Sequence, residues 1–366
     1  MPTFVHTADV HFDTPFSARF TPKQAELRRK EVMQTFSRIC EKAGECDLLL
    51  MAGDLFDSRF ISGETIAFLK RCFANIPDTR IFLVAGNHDP MTPDSPYLKE
   101  DWGENVHIFG TEMEYVDIPE LETRIHGRSF SQRHEEQSLL GEIPLREGWC
   151  NLLLLHGELV SPNGESSYNP LEKGKMEASG VDYAALGHIH LYSGILRSGN
   201  LYYAYPGIPE GRGFDETGER GYLTGTIERG GLQAEWIPVS KRKFICQELN
   251  VSSCKDTLEV AEQVLALIEN QGEEHMYRLT LTGEADSSLV QIDVLYEQMK
   301  GKAFSLELRD ETRPSYHLDE LAKENTLRGD FVSAMLKEIE SLTDEEKEIG
   351  YLALSMGLDA MERGKL

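Results

Sequence analysis

Five short polar clusters, each following an apolar run, hold the residues of this 366-residue chain best suited to chemistry: Asp9-Val10-His11, Gly53-Asp54-Leu55-Phe56-Asp57, Gly86-Asn87-His88-Asp89, His156-Gly157-Glu158 and Gly187-His188-Ile189-His190. They offer carboxylate, amide oxygen and imidazole nitrogen, with no thiolate. That mixture suits a pair of divalent ions roughly 3.5–4 Å apart, which activate water and neutralise charge building on a phosphoryl group. Two residues apart at a strand end, Asp9 and His11 can serve one ion from the same side. Gly53 permits a tight turn and close backbone approach, which suits Asp54 to a bridging role. Asn87 presents a neutral carbonyl, leaving His88 free to face the substrate and protonate the leaving oxygen. His188 and His190 repeat the two-residue spacing and can divide between the ions. A lone histidine at a strand end is ordinarily structural, but consecutive polar residues there are hard to bury without a purpose. Five such clusters in one chain carry the reading together. The ligand types favour Mn²⁺ or Mg²⁺ over structural zinc and remain compatible with Fe or Zn; two manganese ions are expected.

The elements that must position these residues are legible as patterns. From Thr3 to about Pro238 short β-rich runs alternate with helical segments, as in a layered α/β domain. Thr21 caps a helix with Pro22 at its first position, Leu27, Val32, Phe36 and Ile39 recur at helical spacing, and Gly44 marks the stop. Cys46 to Ala52 and Arg80 to Ala85 read as buried strands on either side of a helix from Glu64 to Asn75. Asn151 to Leu155 and Tyr183 to Leu186 are further strands, each leading toward histidine. Every cluster therefore sits just past the C-terminal end of a strand, where α/β sheets place their sites. After Ser240 a small unit follows, with strands at Phe244 to Val251, Met276 to Leu281 and Phe304 to Leu308, and helices around Leu258 to Leu267 and Leu289 to Met299. The tail is helical and charged, with Phe331, Met335, Ile339 and Leu342 on one face and Ile349, Leu352, Met356 and Met361 beyond.

Composition narrows the setting. The formal net charge is -25, from 62 acidic and 37 basic residues; such a surface lacks the basic track that non-specific nucleic-acid binding draws on, so any duplex is expected to bind the chain alone only weakly. The six cysteines show no C-x-x-C spacing, which argues against a zinc knuckle and a disulfide framework. No run of about 18 apolar residues occurs, so no membrane span is expected, and the chain reads as cytoplasmic. No G-x-x-x-x-G-K-[ST] motif is present, so any ATP dependence must come from a partner.

The order D-x-H, G-D-x-x-D, G-N-H-D, H-G-E-L and G-H-x-H resembles the calcineurin-like metallophosphoesterases, and within them the SbcD/YhaO nucleases, relatives of the Mre-type double-strand-break nuclease. His6-Thr7-Ala8-Asp9-Val10-His11-Phe12-Asp13-Thr14-Pro15-Phe16 is similar to the YhaO branch. So are Tyr205-Pro206-Gly207-Ile208-Pro209-Glu210-Gly211-Arg212 and Glu216-Thr217-Gly218-Glu219-Arg220-Gly221. The resemblance implies a four-layer αββα sandwich over residues 1–240, a small α+β capping domain over 241–315 and a C-terminal helical segment over 316–366 that binds an SMC-like ATPase. It implies one ion on Asp9, His11 and His190, the other on Asn87, His156 and His188, and Asp54 between them. His88 would be the acid, with Asp89 orienting it. The activity implied is a DNA exonuclease or endonuclease acting at DNA ends in double-strand-break repair. A small-nucleotide phosphodiesterase and a DNA-end scaffold with little catalysis stand as alternatives. A homodimer built on the helices from Thr21 and Glu64 is also open by analogy.

Arg128, Arg133, Arg212 and Arg220 lie in segments able to flank the cleft, and Arg128 and Arg212 are the candidates for nucleic-acid contact. Asp57 reads equally as a turn residue and as a group near substrate. Tyr192, Tyr202, Tyr203 and Tyr205 read as sheet packing before base stacking, and His6, His107, His126, His134, His275 and His317 match no motif.

Overall fold

Two six-stranded sheets face one another across a shared apolar interior in the computed structural model of the chain, which describes residues 1–363 apart from 59–60, 286–288, 315 and 317. His317 thus lies outside the described residues. The chain divides into two compact units, Met1–Phe244 and Ile245–Leu366.

In the first unit the strands are β1 (Thr3–Thr7), β2 (Leu48–Ala52), β3 (Arg80–Val84), β4 (Val106–Ile108), β5 (Glu114–Ile118), β6 (Thr123–Gly127), β7 (Cys150–His156), β8 (Glu158–Val160), β9 (Pro170–Glu172), β10 (Tyr183–Gly187), β11 (Leu196–Ser198), β12 (Leu201–Ala204), β13 (Gly221–Glu228) and β14 (Gly231–Pro238). One sheet runs β14-β13-β1-β2-β3-β4, the other β11-β12-β10-β7-β6-β5. Each has four parallel strands, flanked by antiparallel strands at one edge in the first sheet and at both edges in the second. Because side chains alternate across a strand, Leu152, Leu154, Tyr183 and Ala185 join Phe4, Leu50 and Phe82 in the interior between the sheets. Their neighbours Leu153, Leu155, Ala184 and Leu186 point to the opposite face of the second sheet. Both faces are therefore covered, as near-continuous apolar runs require.

The helices complete the layers. On the first sheet lie α1 (Pro22–Ala43) and α2 (Gly63–Ala74), joined through Phe36, Phe68 and Phe73 and reaching Phe12. A one-turn α3 (Pro96–Lys99) follows β3, and α4 (Lys173–Ala178) puts Met176 into the outer cluster of the second sheet beside Phe130 and Leu139. This is the expected α/β sandwich, with its fourth layer thin: six helical residues plus coil. Thr21 and Gln24 close a reciprocal capping box at the start of α1. Gly44 ends it in a right-handed conformation, φ −63. A methyl group there would meet Ile76 Cγ2 at 2.8 Å, so packing demands this glycine, not a left-handed turn.

The second unit holds β15 (Phe244–Asn250, its first residue still in the first unit), α5 (Thr257–Gln271), β16 (Met276–Thr282), β17 (Glu284–Ala285), α6 (Ile292–Met299), β18 (Ser305–Asp310) and β19 (Arg313–Pro314), with a three-stranded sheet in the order β15-β16-β18. Val260, Val264 and Ile268 of α5 and Leu295 of α6 pack on Tyr277, Leu279 and Leu281. The tail forms α7 (Leu318–Leu321), α8 (Leu327–Glu340) and α9 (Asp344–Arg363). Ile339 is buried with Leu354 and Leu358, and Phe331 and Met335 pack against them. Of the stripe expected first, Phe331, Met335 and Ile339 thus cover a small core while Leu342 lies past the end of α8; the stripe expected on α9 does not cover it. Ile349, Leu352, Met356 and Met361 are exposed, Ile349 at 70%. Two overlapping apolar stripes fit the residues of α9, and packing selects Leu354 and Leu358. No described helix is long and apolar enough to cross a membrane. All six cysteines are free.

Candidate metal centre

The loops that leave β1 and β2 run side by side. Asp9 N–H donates to the Gly53 carbonyl (3.0 Å), His11 N–H to that of Asp54 (3.0 Å), and Asp57 N–H back to that of Phe12 (3.0 Å). To do this the backbone takes left-handed angles at residues that carry a β-carbon: φ is 54 at Asp9, 50 at His11 and 51 at Asp54, and His188 stands at 107. Each such residue costs about 1–3 kcal/mol and persists only where its surroundings over-determine it, a feature that clusters at functional sites. The motif glycines make room. A methyl on Gly86 would sit 2.2 Å from Asp54 Oδ1, and one on Gly53, itself at φ 88, would sit 2.5 Å from His156 Nδ1.

All seven expected ligands converge. Asp9, His11 and His190 form one group whose donor atoms lie within 4.8 Å of one another, and Asp9, Asp54 and His156 form another. Asn87 Oδ1 stands 3.0 Å from His156 Nε2 and 3.1 Å from His188 Nδ1. Asp54 Oδ2 lies between the groups, 3.8 Å from His11 Nε2 and 3.5 Å from His156 Nε2, while its other oxygen accepts the His88 N–H at 2.8 Å. Asp9 accepts the His188 N–H at 3.1 Å.

The protons show why a cation fits. His156 Nδ1–H donates to the Ala52 carbonyl (2.8 Å), so its Nε2 is a bare lone pair turned on the Asn87 and Asp54 oxygens. His190 Nδ1–H donates to Glu216 Oε1 (2.6 Å), which turns its Nε2 on His11 Nε2 (3.2 Å) and Asp9 Oδ1 (4.0 Å). A lone pair facing oxygen lone pairs, as at His156 Nε2, is repelled unless a cation lies among them. The carboxylate, amide and imidazole set suits divalent ions.

Electrostatics agree. Burial raises Asp9 to about 7 and Asp54 to about 6, against nearby positive groups that pull the other way. Burial also lowers His156 to about 4 and His188 to about 3, and drives His11 well below its ordinary value. The imidazoles are thereby kept neutral, the form that coordinates metal. His190 is the exception: burial opposes its charge, but the Glu216 bond and Asp9 raise it overall.

His88 lies beside this cluster. Its Nδ1 is 3.0 Å from the Asp57 carbonyl and 3.8 Å from Asp57 Oδ1, and the residue lines a cavity of about 560 Å³ with Asp57, Asn87, Pro90, Pro96 and Arg133. Asp89, expected to orient it, is turned away. Its oxygens accept the Phe56 N–H (3.0 Å), the Gly86 N–H (2.7 Å) and the Tyr97 hydroxyl (2.5 Å). That buried carboxylate closes the G-N-H-D turn, so the group at the His88 ring is Asp57.

Arg212 reaches the centre, with its guanidinium 2.9 Å from Asp57 Oδ1 and 3.4 Å from His190 Nδ1. Arg220 instead bonds the His190 and Thr217 carbonyls. Arg128 bonds the Thr111 carbonyl and lines a second cavity of about 770 Å³, which shares Gln132 and Arg133 with the first. Tyr203 and Tyr205 are buried in the outer cluster of the second sheet, Tyr202 packs against the interior between the sheets, and Tyr192 stacks on Trp236. Glu216 is a site residue that sequence reasoning misses. Its only signal is its place in the second of the two late motifs, 26 residues beyond His190.

Parallel strands ending in a buried carboxylate–imidazole cluster define a metallophosphoesterase core. Residues 2–192 match the family model for calcineurin-like phosphoesterases, and the chain belongs to that family of hydrolases. Over 352 residues it is 27% identical to an uncharacterized metallophosphoesterase of Bacillus subtilis, YhaO, covering 87% of this chain and 84% of that one. The DNA double-strand break repair protein Mre11 of Methanopyrus kandleri is 23% identical, over 88% of this chain and 76% of its own. One subunit of the nuclease SbcCD of Staphylococcus epidermidis is 26% identical, over 64% of this chain and 69% of its own.

Proposed function

We propose that this chain is a metal-dependent DNA nuclease, with Asp9, His11 and His190 holding one divalent ion, Asn87, His156 and His188 the other, and Asp54 shared. The observation that carries the reading is the convergence of buried carboxylate, amide and imidazole donor atoms around Asp54, with the lone pair of His156 Nε2 turned on the Asn87 and Asp54 oxygens. When bound, such ions supply Lewis acidity and charge neutralisation for phosphodiester hydrolysis, and manganese is the expected metal. The chain's own part is positional. Ala52 and Glu216 fix the ring orientations of His156 and His190, and the Asp57 carbonyl holds His88 Nδ1, leaving Nε2 as the atom to deliver a proton to the leaving oxygen. Arg212 is the nearest cation for a substrate phosphate, and Arg133 and Arg128 continue along the adjoining cavities.

DNA as the substrate is supported by the names of the Mre11 and SbcCD relatives. Double-strand ends, with exonuclease or endonuclease cleavage, are the proposed context. The SbcCD relative is one subunit of its nuclease, and we assign the 316–366 helices, with exposed Ile349, Leu352, Met356 and Met361, to an SMC-like ATPase partner. Residues 241–315 are assigned to substrate screening as a capping domain, and the cytoplasm is the proposed compartment.

The test is hydrolysis of linear duplex DNA beside bis-p-nitrophenyl phosphate with Mn²⁺. Cleavage of both is expected, abolished by chelator, with His88→Gln slowing DNA cleavage by about 10²–10⁴-fold while metal is retained. Turnover of the small ester with none on DNA, even with the ATPase added, would make the chain a small-nucleotide phosphodiesterase.

A further inference from the structure

The segment 205–216 is held more firmly than an ordinary surface loop. Arg28 of α1, 0% exposed, donates to Glu31 (2.7 Å), to Glu210 (2.8 Å) and to the Gly211 carbonyl (3.0 Å). Glu210 also takes the Thr35 hydroxyl (2.7 Å) and the Lys241 N–H (2.5 Å). From this anchor the chain turns, with Glu216 N–H on the Gly213 carbonyl (3.0 Å). It delivers a buried carboxylate with both oxygens engaged: Oε1 takes His190 Nδ1–H at 2.6 Å and Oε2 takes the Arg212 N–H at 2.6 Å. Such a position requires two acceptors on one side chain. Only a carboxylate supplies both, because an amide would turn a donor toward one of the two N–H groups.

We infer that Glu216 is a positioning residue, which fixes His190 with Nε2 toward Asp9 and His11 and strengthens it as a donor. This rests on the proposed ligand set. A carboxylate behind a metal-bound imidazole raises its basicity, and loss of such a partner costs about 10–100-fold in metal affinity. His156 Nδ1, by contrast, donates to the Ala52 carbonyl, so the effect of losing Glu216 falls on one of the two ion sites.

The experiment is Mn²⁺ titration of the full chain at about pH 7.5 by electron paramagnetic resonance and calorimetry, comparing wild type, Glu216→Gln, Glu216→Asp, His190→Gln and the double variant Glu216→Gln/His190→Gln. The wild type should bind two ions. Glu216→Gln should weaken one by about 10–100-fold, with the other within about twofold and the metal-free chain still folding cooperatively. Glu216→Asp, one methylene shorter, should weaken the same ion and serves if Glu216→Gln does not fold. The double variant should bind no more weakly than His190→Gln, because the carboxylate acts through that ring. Two ions bound by Glu216→Gln as by wild type would overturn the inference, as would equal weakening of both ions. A wild-type chain that takes up no Mn²⁺ would instead sink the ligand assignment on which it rests.

Discussion

The two six-stranded sheets share one interior but feed the site differently. The first, through β1, β2 and β3, sends Asp9, Asp54 and Asn87 together with His11 and His88; the second, through β7 and β10, sends only the imidazoles of His156, His188 and His190. Oxygen anions are costly to bury, and main-chain N–H groups offset that cost, His88 N–H on Asp54 from the first sheet and His188 N–H on Asp9 from the second, while left-handed turns bring the two first-sheet loops edge to edge. A neutral imidazole needs only one acceptor behind it, and the second sheet finds these in Ala52 and Glu216. The difference teaches that charge placement, not strand geometry, sets how elaborate each half must be.

Removing the oxygen that stands between the halves should break the comparison most severely. Asp54→Ala is expected to abolish uptake of both ions and reduce hydrolysis to background, read by metal analysis of the dialysed protein; retention of one tight ion would show that the halves bind independently. Next in size is Arg28→Met, which severs the buried tie between α1 and the segment after the second sheet. Leaving Glu210 without its guanidinium should lower stability by about 3–5 kcal/mol in urea unfolding. Gly86→Ala is expected to displace Asp54, whose Oδ1 would lie 2.2 Å from the added carbon. A misplacement of that order costs about 10²-fold in turnover, with far-ultraviolet circular dichroism unchanged.

The smallest effect is on pH. Burial holds Asp9 at about 7 and Asp54 at about 6 in the folded chain, against 3.8 for an ordinary aspartate. Over this range the two carboxyls hold protons in the folded metal-free chain that they lose on unfolding, so their own contribution to stability falls as pH rises from about 4 toward 7, while that of His156 and His188, held neutral at about 4 and about 3, rises. Mn²⁺ must displace the same protons, so uptake strengthens over that range, by up to about tenfold per unit for each proton released. Calorimetry in buffers of different ionisation heat counts them. Affinity that is flat from about pH 5 to 7.5 would mean that the acidic half is ionised before metal arrives.

Much of the fold was legible because strand and helix periodicity is local. The capping box at Thr21, the apolar runs of β2, β3, β7 and β10, and the parallel order they imply can all be read from residues close in the chain. The edge pairing of β13 with β14 and the packing phase of α9 could not, since each depends on which neighbour covers which face.

What the sequence determined by itself is the inventory: seven candidate donors at strand ends, a candidate acid in His88, and glycines where a side chain would intrude. Only the tertiary structure decided who supports whom. Asp89 closes a turn while Asp57 faces His88, and Glu216, 26 residues along the chain from His190, stands behind its ring. Ligand identity is a property of residue type and local spacing, whereas a supporting hydrogen bond is a matter of about 3 Å in space, which distance along the chain does not encode.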